Sequence, residues 1–197
     1  MRYDTEHKAR TRNAILVEAA SAIRERGPEG VGVAEIMSAT GLTHGGFYAH
    51  FKSKDELVAC AITQMFDETR ARFAKRTGDL PPADALTKYV DMYLSRAHRD
   101  QRSEGCALAT LAGDLPRMPA QARQRFTEGV EQLAAGFAHH LKKLGARNAE
   151  ALAWSVLSEM AGALALARAI SDITRSDQLL RSAREMVKSR LPLTQNQ

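Results

Sequence analysis

The chain has two cysteines in 197 residues, Cys60 and Cys106. Two cannot form a disulfide framework, and such sparse usage suits a reducing cytosol. Catalytic and metal-binding signatures are also missing. Nothing reads H-E-x-x-H, E-x-x-H, C-x-x-C, G-x-S-x-G or a P-loop, which removes the usual zinc protease, di-iron bundle, hydrolase and nucleotide-binding readings. No catalytic residue, metal site or cofactor is therefore expected, and the chain does not read as an enzyme. His139 and His140 are adjacent; on a helix they diverge by about 100° and form no ready metal pair. Long hydrophobic runs are absent too. The nearest, residues 151–167, is Ala-rich, contains Ser155, Ser158 and Glu159, and is at the short limit for a bilayer. The first twelve residues, MRYDTEHKARTR, lack the apolar centre of a signal peptide. A cytoplasmic protein with no membrane partner is expected. There are no internal repeats or low-complexity segments.

What is present is ordinary globular composition, 44% hydrophobic and 26% charged, with a net charge of +5. A pI near 9.4 is compatible with nucleic acid without being diagnostic. Apolar residues recur at helical spacing almost throughout, so the expected class is all-α. Ile15, Leu16, Ala19 and Ile23 make a stripe on a helix from His7 to about Arg26, after a frayed start at residues 1–6. Gly27-Pro28-Glu29-Gly30 ends it. Lys8, Arg10 and Arg12 near its start fit either a solvated face or phosphate contacts.

The chain is organised around residues 33–57, VAEIMSATGLTHGGFYAHFKSKDEL. Val33, Ile36 and Met37 are spaced as a helix, and Gly41 stands where a left-handed turn residue is needed. Leu42 is expected to pack inward and Thr43 to cap a second short helix. Phe47 and Phe51 share one face of it; His44, Tyr48 and Lys52 share another, rich in donors. Ser53 and Glu56 form a capping-box pattern for a third helix. A short donor-bearing helix braced on a buried partner is helix-turn-helix geometry for the DNA major groove.

Residues 41–57 resemble the DNA-binding signature of the TetR family of bacterial transcriptional regulators: Gly41, Leu42, Thr43, Gly45, Phe47, Tyr48, His50, Phe51, then Ser53, Lys54, Asp55, Glu56 and Leu57. The resemblance implies a three-helix DNA-binding domain at residues 1–53 and a helical ligand-binding and dimerisation domain at 54–197. It implies base contacts at the opening of the recognition helix, Thr43, His44 and Gly45, and mainly phosphate contacts from Tyr48, His50, Lys52 and Lys54. Double-stranded operator DNA and a second copy of the chain are the implied partners. Three departures stand out. Gly46 replaces a usual hydroxyl residue, Gly32 replaces a capping Thr, and Met37 replaces the usual Ala at the bend. The side-chain-free Gly45 and Gly46 are expected to make room for Met37.

Beyond the motif, one helix from Lys54 to about Lys75 carries Leu57, Val58, Ala61, Ile62, Met65, Phe66 and Phe73. No linker separates it from the DNA-reading part. Further helices are expected over residues 84–99, 106–115, 126–144, 151–170 and 177–190, then a frayed tail. Tyr89, Tyr93, Phe126, Phe137, Trp154 and Met160 are candidates to line a cavity for a small, largely apolar effector. Met160, Leu164, Leu179, Leu180, Ala183 and Val187 on the last two helices are candidates for a four-helix dimer seam.

The leading reading is a repressor released from a palindromic operator by an effector. Cys106, after Gly105 at a helix start where the dipole favours thiolate, supplies the alternative of a thiol or electrophile sensor. Its plainer reading is a small core hydrophobe, and Cys60 is expected to be inert. A helical-bundle carrier or enzyme is the remaining alternative class. His140, beside the Phe137 and Leu141 stripe, reads as a polar group at a core edge.

Overall fold

The computed structural model describes residues 2–193, with side chains from Glu6 onward, and all its regular structure there is helical. Helix α1 (Arg2–Arg26) begins earlier than expected, so residues 2–6 are helical rather than frayed; Met1 lies outside the described residues. Its stripe Ile15, Leu16, Ala19 and Ile23 is buried, and Gly27 at φ +76° ends it. Helix α2 (Val33–Ala39) follows, then Gly41 at φ +72°, a backbone that a side chain would strain.

The expected second short helix is a six-residue 3-10 turn, His44–Ala49. Gly46 N–H donates to Thr43 O and His50 N–H to Phe47 O, both i to i−3 bonds. Two glycines lower α propensity by about 1 kcal/mol each relative to alanine, which leaves the tighter form competitive. Thr43 occupies the N-cap position, but its side chain makes no cap bond. Phe47 and Phe51 stack at 5.7 Å under this turn and are buried.

Helix α3 (Lys54–Thr77) is capped as the pattern implies, with Glu56 N–H donating to Ser53 Oγ at 3.1 Å. The Glu56 carboxylate reaches past the cap residue to accept from Lys52 N–H at 2.7 Å. The single helix expected over 84–99 is two, α4 (Pro82–Tyr93) and α5 (Arg96–Asp100). Ser95 causes the break: its Oγ accepts from His98 N–H at 3.1 Å and caps a new helix. Then come α6 (Ala107–Leu111), shorter than expected, α7 (Ala120–Lys143), α8 (Ala149–Ala169) and α9 (Ile173–Arg190). The start of the tail is anchored rather than frayed, because Leu191 is buried and Leu193 packs beside it; residues 194–197 lie outside the described residues.

Two cores result. The first joins α1, α2, the 3-10 turn and the first half of α3 to Leu111 of α6, Leu115 of the connection that follows it, and Val130 of α7. The second joins α4, the rest of α7, α8 and α9, with Phe73 of α3 against it. Helix α3 therefore serves both. Its tightest neighbour is α7: a Cβ on Gly129 would sit 2.2 Å from the Phe66 ring, so the glycine is what lets these helices meet. Helix α8 is long and apolar enough to cross a bilayer by length and composition, yet it packs along α7 and α9.

Candidate nucleic-acid interface and inner cavity

Thr43, His44, Gly45, Tyr48 and Lys52 are all exposed on one continuous surface, with Tyr48 66% exposed although it is aromatic. The buried pair Phe47 and Phe51 holds that surface up from beneath. His44 and Tyr48 meet edge to face at 6.3 Å. Lys54 opens α3 at the same edge. Cations on a surface with exposed hydroxyl, imidazole and phenol donors suit a phosphate backbone and base edges.

His50 differs from the others. It is half-buried, its Nδ1 has no hydrogen-bond partner, and burial, then Lys8 and Arg12, push its pKa down. The neutral ring is thus favoured, and it can offer a donor to a phosphate but not a charge. Arg12 lies 4.6 Å over the Phe51 ring and donates from Nη2 to Cys60 Sγ at 3.4 Å. It braces α1 on the DNA-reading turn, whereas Lys8 and Arg10 are fully exposed. Gly45 has open space about it, and a Cβ on Gly46 would meet Met37 at an ordinary 3.7 Å. Met37 therefore does not need the glycines, contrary to expectation.

Toward the far end of α3, a cavity of about 380 Å³ opens between α3, α4 and residues 95–106. Phe73, Tyr89 and Tyr93 form its aromatic side with Met92 beside them, and Arg72 and Arg76 face it from α3. Phe73 meets Tyr89 edge to face at 4.9 Å. Cys106 also lines it, 2% exposed, at the N-cap of α6. Burial pushes this thiol up, and the α6 backbone N–H groups and the Tyr93 hydroxyl only partly offset that. The helix start does not produce the thiolate that its position suggests.

Of the residues expected at a cavity, Tyr89 and Tyr93 line this one, Trp154 lines a second of about 490 Å³ beside α7, and three are elsewhere. Phe137 packs behind Tyr89 at 5.8 Å. Phe126 meets Phe66 in the first core. Met160 is wholly buried in the second core, and Trp154 is on the outside, 45% exposed. His140 is at a core edge against Phe73. The expected dimer seam is also displaced. Met160, Leu164, Leu180 and Val187 are at most 2% exposed within one chain, and Leu179 and Ala183 pack on the same core. These four hold α8 on α9 inside one chain, whereas Leu179 and Ala183 are only half-buried. The apolar face left outside carries Trp154, Leu166, Ile170, Ile173 and Met186. Helix α8 is apolar all round, so periodicity could not say which face the chain would use for itself.

Several functional groups escaped the sequence reading because their partners are distant. His98 walls the cavity; its Nδ1 donates to Tyr93 O at 2.7 Å and its Nε2 accepts from Cys106 N–H at 3.1 Å. Arg99 bonds Asp177 at 2.7 Å and Ser176 at 2.9 Å, while Arg168 donates to His98 O at 2.8 Å. These pin α5 to α8 and α9. Arg24, buried in α1, pairs with Glu68 at 2.5 Å and donates to Ser103 O at 3.1 Å. The loop that walls the cavity is thereby tied to the DNA-reading unit. The only local hint was the crowding of charge in RDQRSEG.

The geometry agrees with comparisons to known proteins. Residues 15–60 match the model of bacterial regulatory proteins of the tetR family, and residues 82–186 match the C-terminal domain of LmrA/YxaF-like transcriptional regulators. Similar proteins include an HTH-type transcriptional regulator of Mycobacterium tuberculosis, 27% identical over 194 residues, 92% of this chain and 96% of that one. An HTH-type transcriptional repressor of the same species is 28% identical over 183 residues, 88% and 85% of the two chains. A TetR regulator of Chloroflexus aurantiacus superposes with a TM-score of 0.77 at 26% identity over 93% and 95% of the chains. Reduced NemR of E. coli shares the fold, with a TM-score of 0.78 at 20% identity over 92% and 96%. With a reading turn at one end of α3, a walled cavity toward the other, and a model match over more than half its length, the chain belongs to the TetR family of bacterial transcriptional regulators.

Proposed function

We propose that the protein is a homodimeric cytoplasmic repressor that binds a palindromic operator and leaves it when a small, largely apolar effector enters the cavity. The observation that carries this reading is the span of α3. Its first residue, Lys54, stands at the DNA-facing edge, and its residues Thr69, Arg72, Phe73 and Arg76 wall the cavity. A ligand that shifts the far end of one continuous helix also moves the near end. Thr43, His44 and Gly45 read bases; Tyr48, Lys52 and Lys54 hold phosphates, with His50 as a neutral donor. An effector that prefers the DNA-free state about 100-fold supplies about 2.7 kcal/mol. Linkage then requires operator to weaken the effector by the same factor.

Selection of bound fragments from the protein's own genome tests the reading, followed by titration of the selected operator against salt. Lys54→Ala is expected to weaken binding to all sequences alike and to flatten the log–log salt slope by about 0.9. His44→Ala is expected to change base preference. An unchanged slope for Lys54→Ala removes its phosphate role, and a folded protein that selects no fragment favours a helical carrier or enzyme. Sensing through Cys106 is the weaker reading, because burial holds that thiol protonated.

A further inference from the structure

The cavity has two unlike sides. Arg72 and Arg76 are four apart on α3 and so share a face; Tyr89 and Tyr93 are four apart on α4, and both pairs line the same space. The α4 side, completed by Phe73, offers ring faces and edges to a flat apolar molecule. The Tyr89 hydroxyl is buried without a hydrogen-bond partner, and that of Tyr93 has only the Cys106 thiol beside it. The α3 side is cationic. Arg72 is half-buried and donates from Nη2 to Glu104 O at 2.7 Å; its other donors are unused among the described residues. Arg76 makes no ion pair or hydrogen bond there. Of the acidic residues in the lining, Asp91 is held by Lys188 at 2.6 Å; Arg72 feels the carboxylates of Glu68, which Arg24 holds at 2.5 Å, and of the exposed Glu104.

Resting on the effector reading above, we propose that the cavity takes a compact aromatic acid: a planar ring against Phe73, Tyr89 and Tyr93, and a carboxylate or sulfonate on Arg72 and Arg76. About 380 Å³ is near the lower end of small-molecule sites, roughly 300–1,000 Å³, which limits the ligand to a mono- or bicyclic ring with a short substituent. A half-buried guanidinium with spare donors gains more from an anion than a solvated one, because the pair forms in a medium of lower dielectric. Glu104 competes for the same cation from within the chain.

The test uses two fluorescent probes that differ by the acid alone: naphthalene-1-sulfonate and its neutral parent, naphthalene. Each is titrated against the full-length protein, its Arg72→Gln, Arg76→Gln and Glu104→Gln variants, and the exposed control Arg147→Gln. The sulfonate is expected to bind more tightly than its parent. It should lose about tenfold or more with Arg72→Gln, as hydrogen bonds to charged groups imply, and less with Arg76→Gln. Glu104→Gln should tighten the sulfonate, and the neutral probe should change little in any variant. Equal losses for both probes, or a sulfonate indifferent to Arg72, Arg76 and Glu104, overturn the acid assignment while the cavity remains an effector site. If neither probe binds the wild type, the cavity is not a ligand site and the effector reading falls with it. Should Arg72→Gln unfold, the exposed positions 76 and 104 still decide, because their side chains carry no packing.

Discussion

The DNA-facing surface and the cavity are built in opposite ways. Residues 43–54 form the first as one unbroken stretch, with exposed donors above and Phe47 and Phe51 beneath. Its working groups hold nothing else together, so they can change with little effect on the fold. The cavity draws on α3, α4, α5 and residues 101–106, and the groups near it also support it. His98 links Tyr93 to Cys106, and Arg99 and Arg168 tie α5 to α8 and α9. Substitution there should disturb ligand binding and stability together. A contiguous site separates function from folding, and an assembled one couples them.

The largest expected effect tests whether the two regions depend on a second copy. Leu166 is 59% exposed on the outer face of α8. Leu166→Glu should leave the monomer folded, split the dimer in sedimentation, and weaken operator binding about 100-fold or more through loss of the second half-site. A wild type that sediments as a monomer at micromolar concentration removes this arrangement. The same substitution in the buried Leu180 should unfold the chain instead, which separates a partner face from an internal one.

Next in size is the join between the regions. Gly129→Ala places a methyl into the buried Phe66 ring, and overpacking should cost about 1–3 kcal/mol against roughly 0.5–1 kcal/mol gained in helix preference. Gly136→Ala, on the same helix with open space around it, should show the gain alone. Denaturant unfolding of the two should give opposite signs; a stabilised Gly129→Ala would show that α3 and α7 are less closely packed.

The smaller effect is a pH dependence at the cavity wall. Burial pushes His98 down to about 4, despite its bond to the Tyr93 carbonyl, from 6.5. A base with a depressed folded pKa binds fewer protons folded than unfolded, so stability is full above about 6.5 and is lost as pH falls toward 4. The physical cause is burial of the ring, and the Cys106 N–H, which needs Nε2 unprotonated as its acceptor, favours the same neutral form. At pH 5 the loss attributable to this group should be about 2 kcal/mol. His98→Gln should flatten that slope in unfolding curves from pH 7.5 to 5. An unchanged slope would assign acid sensitivity to other groups, and the cavity wall would then resemble the DNA face in bearing no stability.

Sequence alone determined most of what depends on neighbours within one or two helical turns. Gly41 required a left-handed turn, Ser53 and Glu56 set the start of α3, and Phe47 with Phe51 identified the buried side of the reading turn. The spacing of apolar residues gave nearly every helix, because burying a stripe demands that period. Two short-range effects left no mark in the spacing: the Ser95 side-chain bond divided a helix that periodicity had made whole, and the two glycines at 45 and 46 tightened the reading turn. Tertiary structure decided the rest. Trp154 and Met160 carry no sign of facing out or in, since α8 is apolar on every side. The choice lay with α7 and α9, which took one face and left the other. Arg72, Arg76, Tyr89 and Tyr93 likewise line one cavity only when α4 folds back on α3, because charge and ring chemistry combine across space and leave no periodic mark along the chain.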